Sequence, residues 1–222
     1  MKRLLVVILA LAMAVSLAAC GGGDGGGGTG GSSGTDTQTG GGGSSEVVDQ
    51  DITADFTDPL FLSYVRELLE KDESEPIMAS DVKNIWMLQV SELGISSLDG
   101  IEWFVGLESL SCGFNQLTEL DVSNNVNLDY LTCSNNQLYE LDVSNNIALE
   151  RLDCGYNMLT ELDVRNNVAL TFLRLAGNQV TQLDVSNNKE LTDLIIGGNP
   201  LTDQDIVGLD EERTFLSTYW EN

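Results

Sequence analysis

Apolar residues recur along the second half of the chain with a period of 21 residues. Near-identical segments begin at residues 107, 128, 149, 170 and 191, and the first reads LESLSCGFNQLTELDVSNNVN. In the first segment Leu110 and Cys112 are two positions apart, so on a short strand both side chains point to one face. One segment cannot bury that face alone, but stacked segments bury it continuously. The pattern therefore predicts a solenoid in which each segment adds one strand to a parallel ribbon.

An asparagine occupies the same position in every segment, where the predicted strand must turn. An Asn side chain can bond backbone groups that a curving coil leaves unpaired. We therefore expect a structural ladder made of Asn115, Asn136, Asn157, Asn178 and Asn199.

The opening of each segment, L-x-x-L-x-(C/L/I)-x-x-N-x-(L/V), resembles the leucine-rich repeat consensus. A 22-residue segment before them, residues 85–106, keeps the apolar positions but has Leu93 in place of the Asn. The resemblance implies an α/β repeat solenoid, a right-handed coil with a parallel strand ribbon. Its repeats, one of 22 residues and five of 21, would span residues 85–211.

The segments that flank the repeats are expected to cover the two ends of the core, which a stacked array would otherwise expose. Residues 46–84 begin with an acidic lead-in and contain Pro59 directly after Asp58, a pattern typical of a first helical turn. The helix would pack an apolar stripe on the solenoid, formed by Leu60, Tyr64 and Leu68 with Phe61, Val65 and Leu69. Residues 212–222 would form the C-terminal cap.

The first 45 residues carry a targeting pattern. Lys2 and Arg3 precede an apolar run too short for a transmembrane helix, so residues 1–19 read as a signal peptide. The sequence LAAC, ending at Cys20, resembles the lipobox of bacterial lipoproteins, which implies cleavage before Cys20 and acyl chains on it. An ordinary secretory signal with an incidental Cys is the alternative. The Gly- and Ser-rich residues 20–45 are predicted to form a flexible tether.

The order of an acidic helix, the sequence ISSLDGIEWF and the full repeats resembles bacterial surface leucine-rich repeat proteins of the internalin-like type, over residues from about 53 to 210. With the lipobox, this resemblance implies a protein anchored by lipid to the bacterial cell membrane. It would face outside the cytoplasm, at the cell surface or in the periplasm.

Composition narrows the classes of function. A net charge of −25 argues against nucleic acid and against anionic membrane surfaces as partners. The chain contains no His, which removes the commonest general base and the commonest metal ligand. It also lacks a phosphate-binding loop motif and a spacing typical of metal knuckles. We therefore expect a monomeric protein that is not an enzyme and needs no cofactor or metal.

Three cysteines occupy the same inward position in consecutive segments: Cys112, Cys133 and Cys154. Side chains in a parallel ladder point side by side, so we interpret them as buried free thiols that act as small apolar residues. One disulfide between neighbouring coils is the alternative, because the protein is predicted to lie on the oxidising side of the membrane.

The second half of each repeat places carboxylates outward beside an inward Leu and Val. Stacking these segments makes two acidic rows, which contain Glu119 and Asp121, Glu140 and Asp142, Glu161 and Asp163, and then Gln182 and Asp184. Such rows are typical of a solvated face, or of Asp side chains that accept backbone N–H bonds at turns. Weak binding of Ca²⁺ by the carboxylates of these rows is the more specific alternative.

Outward positions of the predicted strands differ from coil to coil, unlike the core and the asparagines. Aromatic and Arg side chains, the types that carry interface energy, cluster there over three neighbouring coils. The candidate ligand-binding residues on this strand-lined concave face are Tyr130, Arg151, Asp153, Tyr156, Phe172 and Arg174. They predict recognition of a protein or a cell-surface glycan. Alternatively, these residues reflect ordinary surface variation without a binding role. The protein would then be an envelope lipoprotein that acts as a spacer.

Overall fold

The computed structural model describes residues 49–210, 212 and 214–217. The predicted signal peptide, Cys20 and the predicted tether lie outside these residues. Within the described part, no helix is long and apolar enough to span a membrane.

Strands of two or three residues follow one another along the chain. They are β1 Met87–Gln89, β2 Ser109–Ser111, β3 Tyr130–Thr132, β4 Arg151–Asp153, β5 Phe172–Arg174, β6 Leu183–Asp184, β7 Asp193–Ile195, β8 Ile206–Val207 and β9 Phe215–Ser217. All but β6 and β8 form one parallel sheet in chain order, and β6 pairs with β8 in a second sheet. The predicted ribbon of parallel strands is confirmed.

In every ribbon strand except β9, the central residue is buried and its two neighbours point outward. Leu110 pairs in register with Leu131, and Leu131 with Leu152, so leucines stack from coil to coil. These leucines are completely buried, as are the three thiols beside them. The predicted inward face is confirmed. Side chains alternate between the two faces of a strand, so equivalent residues of successive coils face the same core.

The predicted asparagine ladder is also confirmed. Asn136 Oδ1 accepts the N–H of Leu117 at 3.0 Å, and its Nδ2 donates to the carbonyls of Cys112 and Cys133, each at 3.0 Å. Leu117 and Cys112 belong to the preceding coil, so one side chain joins two coils. The same bonds recur around Asn115, Asn157, Asn178 and Asn199.

A second ladder, which we did not predict, lies at the opposite turn. The Nδ2 of Asn146 donates to the carbonyls of Val122 at 3.0 Å and Asn125 at 2.8 Å, both in the preceding coil. Its members are almost fully buried: Asn125, Asn146, Asn167 and Asn188. The repeated Asn-Asn pair in D-V-S-N-N was the available signal.

Helices contribute little, and the α-helices lie before the ribbon: α1 Pro59–Leu68 and α2 Ala79–Val82. Asp58 accepts the N–H groups of Leu60 and Phe61 and so caps the start of α1, as the Asp-Pro pair predicted. Within the repeats, extended and turn segments link one ribbon strand to the next, with single 3₁₀ turns at Ile101–Trp103 and Asp203–Asp205. The described residues thus form a parallel-strand solenoid with little helix.

The apolar stripe predicted for α1 is partly wrong. Phe61 and Val65 are completely buried, whereas Leu60 and Leu68 are 49 % and 39 % exposed. The rings of Phe56 and Phe104 lie 5.5 Å and 6.3 Å from the Phe61 ring, between centroids. These aromatic partners select the face of α1 that is buried, a choice that the period of the helix leaves open.

The repeated strands do not end with the predicted repeats. Strand β9 pairs in parallel with β7 and extends the ribbon into residues predicted as the C-terminal cap. Leu216, its central residue, packs partly buried against the core, while Phe215 points outward.

We predict that Asn136→Ala lowers the free energy of unfolding by about 2–4 kcal/mol. The change leaves the buried Leu117 N–H without its acceptor and removes one of the two asparagine donors to each of the Cys112 and Cys133 carbonyls. Urea denaturation measures the change. Asn145→Ala is the matched control, since Asn145 is exposed and makes one bond of 3.2 Å to the Ser123 carbonyl. We expect Asn145→Ala to lower the free energy of unfolding by at most about 0.5 kcal/mol. Equal costs for the two variants would contradict a structural role for the ladder.

Candidate functional site

The six predicted ligand-binding residues lie on or directly after strands β3, β4 and β5. Tyr130 pairs in register with Arg151, and Arg151 with Phe172, so these three form one outward row. Asp153 pairs with Arg174 in the next row. We call the six residues the ribbon cluster. The structure therefore brings together the side chains that the sequence pattern selected.

Arg151 and Phe172 form the outer part of the ribbon cluster. The Arg151 guanidinium carbon lies 4.4 Å from the centroid of the Phe172 ring, a cation–π contact. Arg151 is exposed, and the salt bridges found among the described residues involve Lys71, Arg165 and Arg174 instead. The positive charge of Arg151 is thus held over an aromatic ring with no carboxylate paired to it in the described part.

Arg174, Asp153 and Tyr156 support this arrangement from the neighbouring row. Arg174 Nη1 lies 3.4 Å from Asp153 Oδ2, and its guanidinium carbon lies 5.3 Å from the centroid of the Tyr156 ring. Asp153 Oδ1 also accepts the N–H of Gly155 at 3.0 Å. Because Arg174 and Asp153 are about four-fifths buried and bound to each other, they fix the geometry of the ribbon cluster.

Tyr156 has a left-handed backbone conformation, which sequence analysis missed. Its φ is 54°, and the same position in the other coils also has a positive φ: Glu92, Phe114, Asn135, Gly177 and Gly198. A Cβ atom at Gly177 would lie 2.7 Å from Tyr156 Cδ1, so the ring occupies space that only a glycine leaves free. Glycine at this position in two coils was the available signal.

The acidic rows line a groove of about 1820 Å³ that does not include the ribbon cluster. Its floor contains Leu120, Leu141 and Leu162, and its walls include the carboxylates of both rows. This long groove runs along the acidic rows, where no groove was predicted. Sequence analysis missed it because the curvature of a solenoid depends on how the coils stack.

Aspartates of the acidic rows are engaged in their own turns, as one interpretation predicted. Asp121 Oδ1 accepts the N–H of Ser123 and Asp142 Oδ1 that of Ser144, both at 2.8 Å. Hydrogen bonds from the Ser123 side chain and backbone lower the pKa of Asp121. The side-chain and backbone bonds of Arg165 lower the pKa of Asp163 to about 2. No group of three or more acidic or Cys residues in the described part is arranged to hold a metal ion.

The three thiols are free and completely buried. Burial raises the pKa of Cys112 to about 12, and it also raises the pKa values of Cys133 and Cys154. The thiolate is the nucleophilic form of cysteine, so none of these thiols is placed to act as a nucleophile.

Searches of protein-family models and of curated proteins found no match to the chain. Solved structures do match. The functional domain of InlJ from Listeria monocytogenes aligns with a TM-score of 0.59 and 32% identity, over 70% of this chain and 39% of that chain. An internalin (inlF) from the same species aligns with a TM-score of 0.56 and 21% identity, over 71% of this chain and 55% of that chain.

The leucine-rich repeat domain of APL1 aligns with a TM-score of 0.52 and 22% identity, over 55% of this chain and 35% of that chain. The chain has the leucine-rich repeat fold. It is similar to internalin proteins of Listeria, and it spans about two-fifths of the InlJ chain and about half of the inlF chain. The InlJ domain is described as including a cysteine ladder, which resembles the stacked thiols of Cys112, Cys133 and Cys154.

We predict that the three thiols resist alkylation by iodoacetamide in the native protein and all react in guanidinium chloride without a reductant. Peptide mass spectrometry would locate the label. Alkylation of the native protein would contradict their burial, and a requirement for dithiothreitol would reveal a disulfide between neighbouring coils.

We also predict that Gly177→Ala destabilises the protein by about 1–3 kcal/mol, because the positive φ disfavours Ala and the new Cβ collides with Tyr156. In a Tyr156→Gly background the collision is removed, so the same change should cost at least about 1 kcal/mol less. Urea denaturation of the four proteins of this cycle measures the coupling. Additive costs would show that the Tyr156 ring does not lie against Gly177.

Proposed function

We propose that this protein is a non-enzymatic binding protein of the bacterial envelope that recognises another protein through the ribbon cluster. The observation that carries the proposal is the Arg151 guanidinium stacked 4.4 Å over Phe172, with Tyr130 in the same row. Arg and aromatic side chains are the types that dominate binding energy at interfaces. The leucine-rich repeat fold supplies the rigid ribbon that positions them.

The chemistry of the ribbon cluster suggests the kind of surface it binds. A ligand would place an apolar group against Phe172 and Tyr130, and a carboxylate beside Arg151. Arg174 and Asp153 are partly buried and already bound to each other, so this pair would orient the cluster and contribute less direct affinity. A cell-surface glycan with acidic sugars presents related chemistry and is the second ligand class to test.

Anchoring to the membrane is part of the proposal. Lys2, Arg3, the apolar run and the LAAC sequence support cleavage before Cys20 and acylation of that residue. Residues 20–45 would then separate the solenoid from the membrane, on the outer side. The net charge of −25 supports a monomer in solution, because identical acidic surfaces repel each other.

The test compares a triple variant of the ribbon cluster with a double variant of residues outside the ribbon strands. Tyr130→Ala, Arg151→Ala and Phe172→Ala together change the ribbon cluster. Tyr139→Ala with Arg165→Ala changes an exposed aromatic residue and an exposed arginine elsewhere. We predict that the first variant loses at least about tenfold in affinity for ligands that the wild type captures on protein and glycan arrays. The second variant should bind as the wild type does, and the melting temperature of each should change little.

Two outcomes would contradict the proposal. Equal binding by the wild type and the ribbon variant would remove the ribbon cluster as the site. An array on which the wild type captures nothing at micromolar concentration would favour the alternative, an acidic envelope spacer without a specific ligand.

A further inference from the structure

A second apolar surface lies at the turn that precedes each ribbon strand. Four β-branched side chains occupy the same position in consecutive coils and are between 48% and 62% exposed: Val105, Val126, Ile147 and Val168. We call this row the corner stripe. It contains none of the ribbon-cluster residues and none of the residues that line the acidic groove.

The fold does not require an apolar residue in the corner stripe. The next coil has Lys189 at this position, yet it keeps the backbone bond that closes this turn in the other coils. The N–H of Leu191 donates to the Asn188 carbonyl at 3.1 Å, just as the N–H of Leu170 donates to the Asn167 carbonyl at 3.1 Å. Four consecutive apolar side chains at a position that accepts lysine form a contiguous exposed patch, and such patches mark interaction surfaces.

Carboxylates border the corner stripe on the side of the ribbon. Glu108, Asp129 and Glu150 are exposed and follow the first three stripe residues by three positions. They stack in consecutive coils, because the N–H of Asp129 donates to the Glu108 carbonyl at 2.9 Å and that of Glu150 to the Asp129 carbonyl at 2.8 Å. The carboxylates in the salt bridges of the described residues are those of Asp81, Asp153 and Asp163. The three border carboxylates are therefore available to basic groups of a partner.

The dimensions of the stripe favour a helix as the bound element. Stacked parallel strands are about 4.8 Å apart, so four stripe residues extend over about 15 Å. A helix of about ten residues has that length, and its apolar face repeats once per turn of about 5.4 Å. Side chains on one face of a strand repeat at about 6.8 Å, which fits the row less well.

We propose that the corner stripe and its border of carboxylates bind an amphipathic α-helix of another protein, whose apolar face is flanked by Lys or Arg. The apolar face of the helix covers Val126, Ile147 and Val168, and its basic side chains meet Glu108, Asp129 and Glu150. This surface is separate from the ribbon cluster, so the protein can hold two partners.

The probe is a synthetic helical peptide of about 14 residues with a leucine face flanked by lysines, labelled with fluorescein. Anisotropy at physiological salt measures its dissociation constant for the full chain. Val126→Thr, Ile147→Thr and Val168→Thr together keep the charge and nearly the shape of the stripe, and should weaken binding at least about tenfold. The matched control, Tyr139→Ser with Val207→Thr and Phe215→Ser, removes exposed apolar groups elsewhere and should leave the affinity unchanged.

A second pair of variants tests the contribution of charge. Glu108→Gln, Asp129→Asn and Glu150→Gln should weaken binding, whereas Glu119→Gln, Glu140→Gln and Glu161→Gln remove the same charge from the groove and should not. Tyr130→Ala with Arg151→Ala and Phe172→Ala should bind the peptide like the wild type, which separates this proposal from that for the ribbon cluster.

Several results would overturn the proposal. They are undetectable binding of the peptide to the wild type, wild-type affinity in the threonine variant, or equal weakening in the two charge variants, which would indicate unspecific attraction. Binding of the wild type to phosphatidylcholine vesicles that is lost in the threonine variant would instead assign the stripe to a lipid surface.

Discussion

The hydrogen bonds that each asparagine makes to the neighbouring coil are the interaction on which the rest of this structure depends. A strand of three residues supplies few backbone bonds, and every coil must reverse direction at its end. Asn136 satisfies one N–H and two carbonyls at that reversal, across two coils. Without these bonds, buried polar groups would oppose the stacking that the leucine core favours.

Regular positions therefore carry the architecture, and variable positions remain free for recognition. The stacked leucines, thiols and asparagines are nearly identical from coil to coil, and they are buried. Arg151 and Phe172 occupy an outward position whose residue varies among the coils, so their contact is not required by the repeat. The corner stripe combines features of both kinds of position, because its residues are regular from coil to coil but exposed. Lys189 shows that the fold accepts a charge at this position.

The sequence predicted this fold well because a period of 21 residues repeats the same local environment in every coil. It predicted the rows of the ribbon cluster for the same reason, since residues at equal positions become neighbours. It did not predict which face of α1 is buried, because the packing of Phe61 against Phe56 and Phe104 decides that choice. The left-handed backbone at Tyr156 and the position of the groove were also missed, since both depend on how neighbouring coils fit together.

Native-state hydrogen exchange tests the central claim most directly, because it measures the amides that the asparagine side chains hold. The N–H groups of Leu117, Leu138 and Leu159 donate to Asn136, Asn157 and Asn178, each at 3.0–3.1 Å. If the ladder joins the coils into one cooperative array, these three amides exchange only by the largest opening, with a free energy close to that of global unfolding. Exchange as fast as that of the exposed turn amides would contradict the account, because it would show that the coils hold together without these bonds.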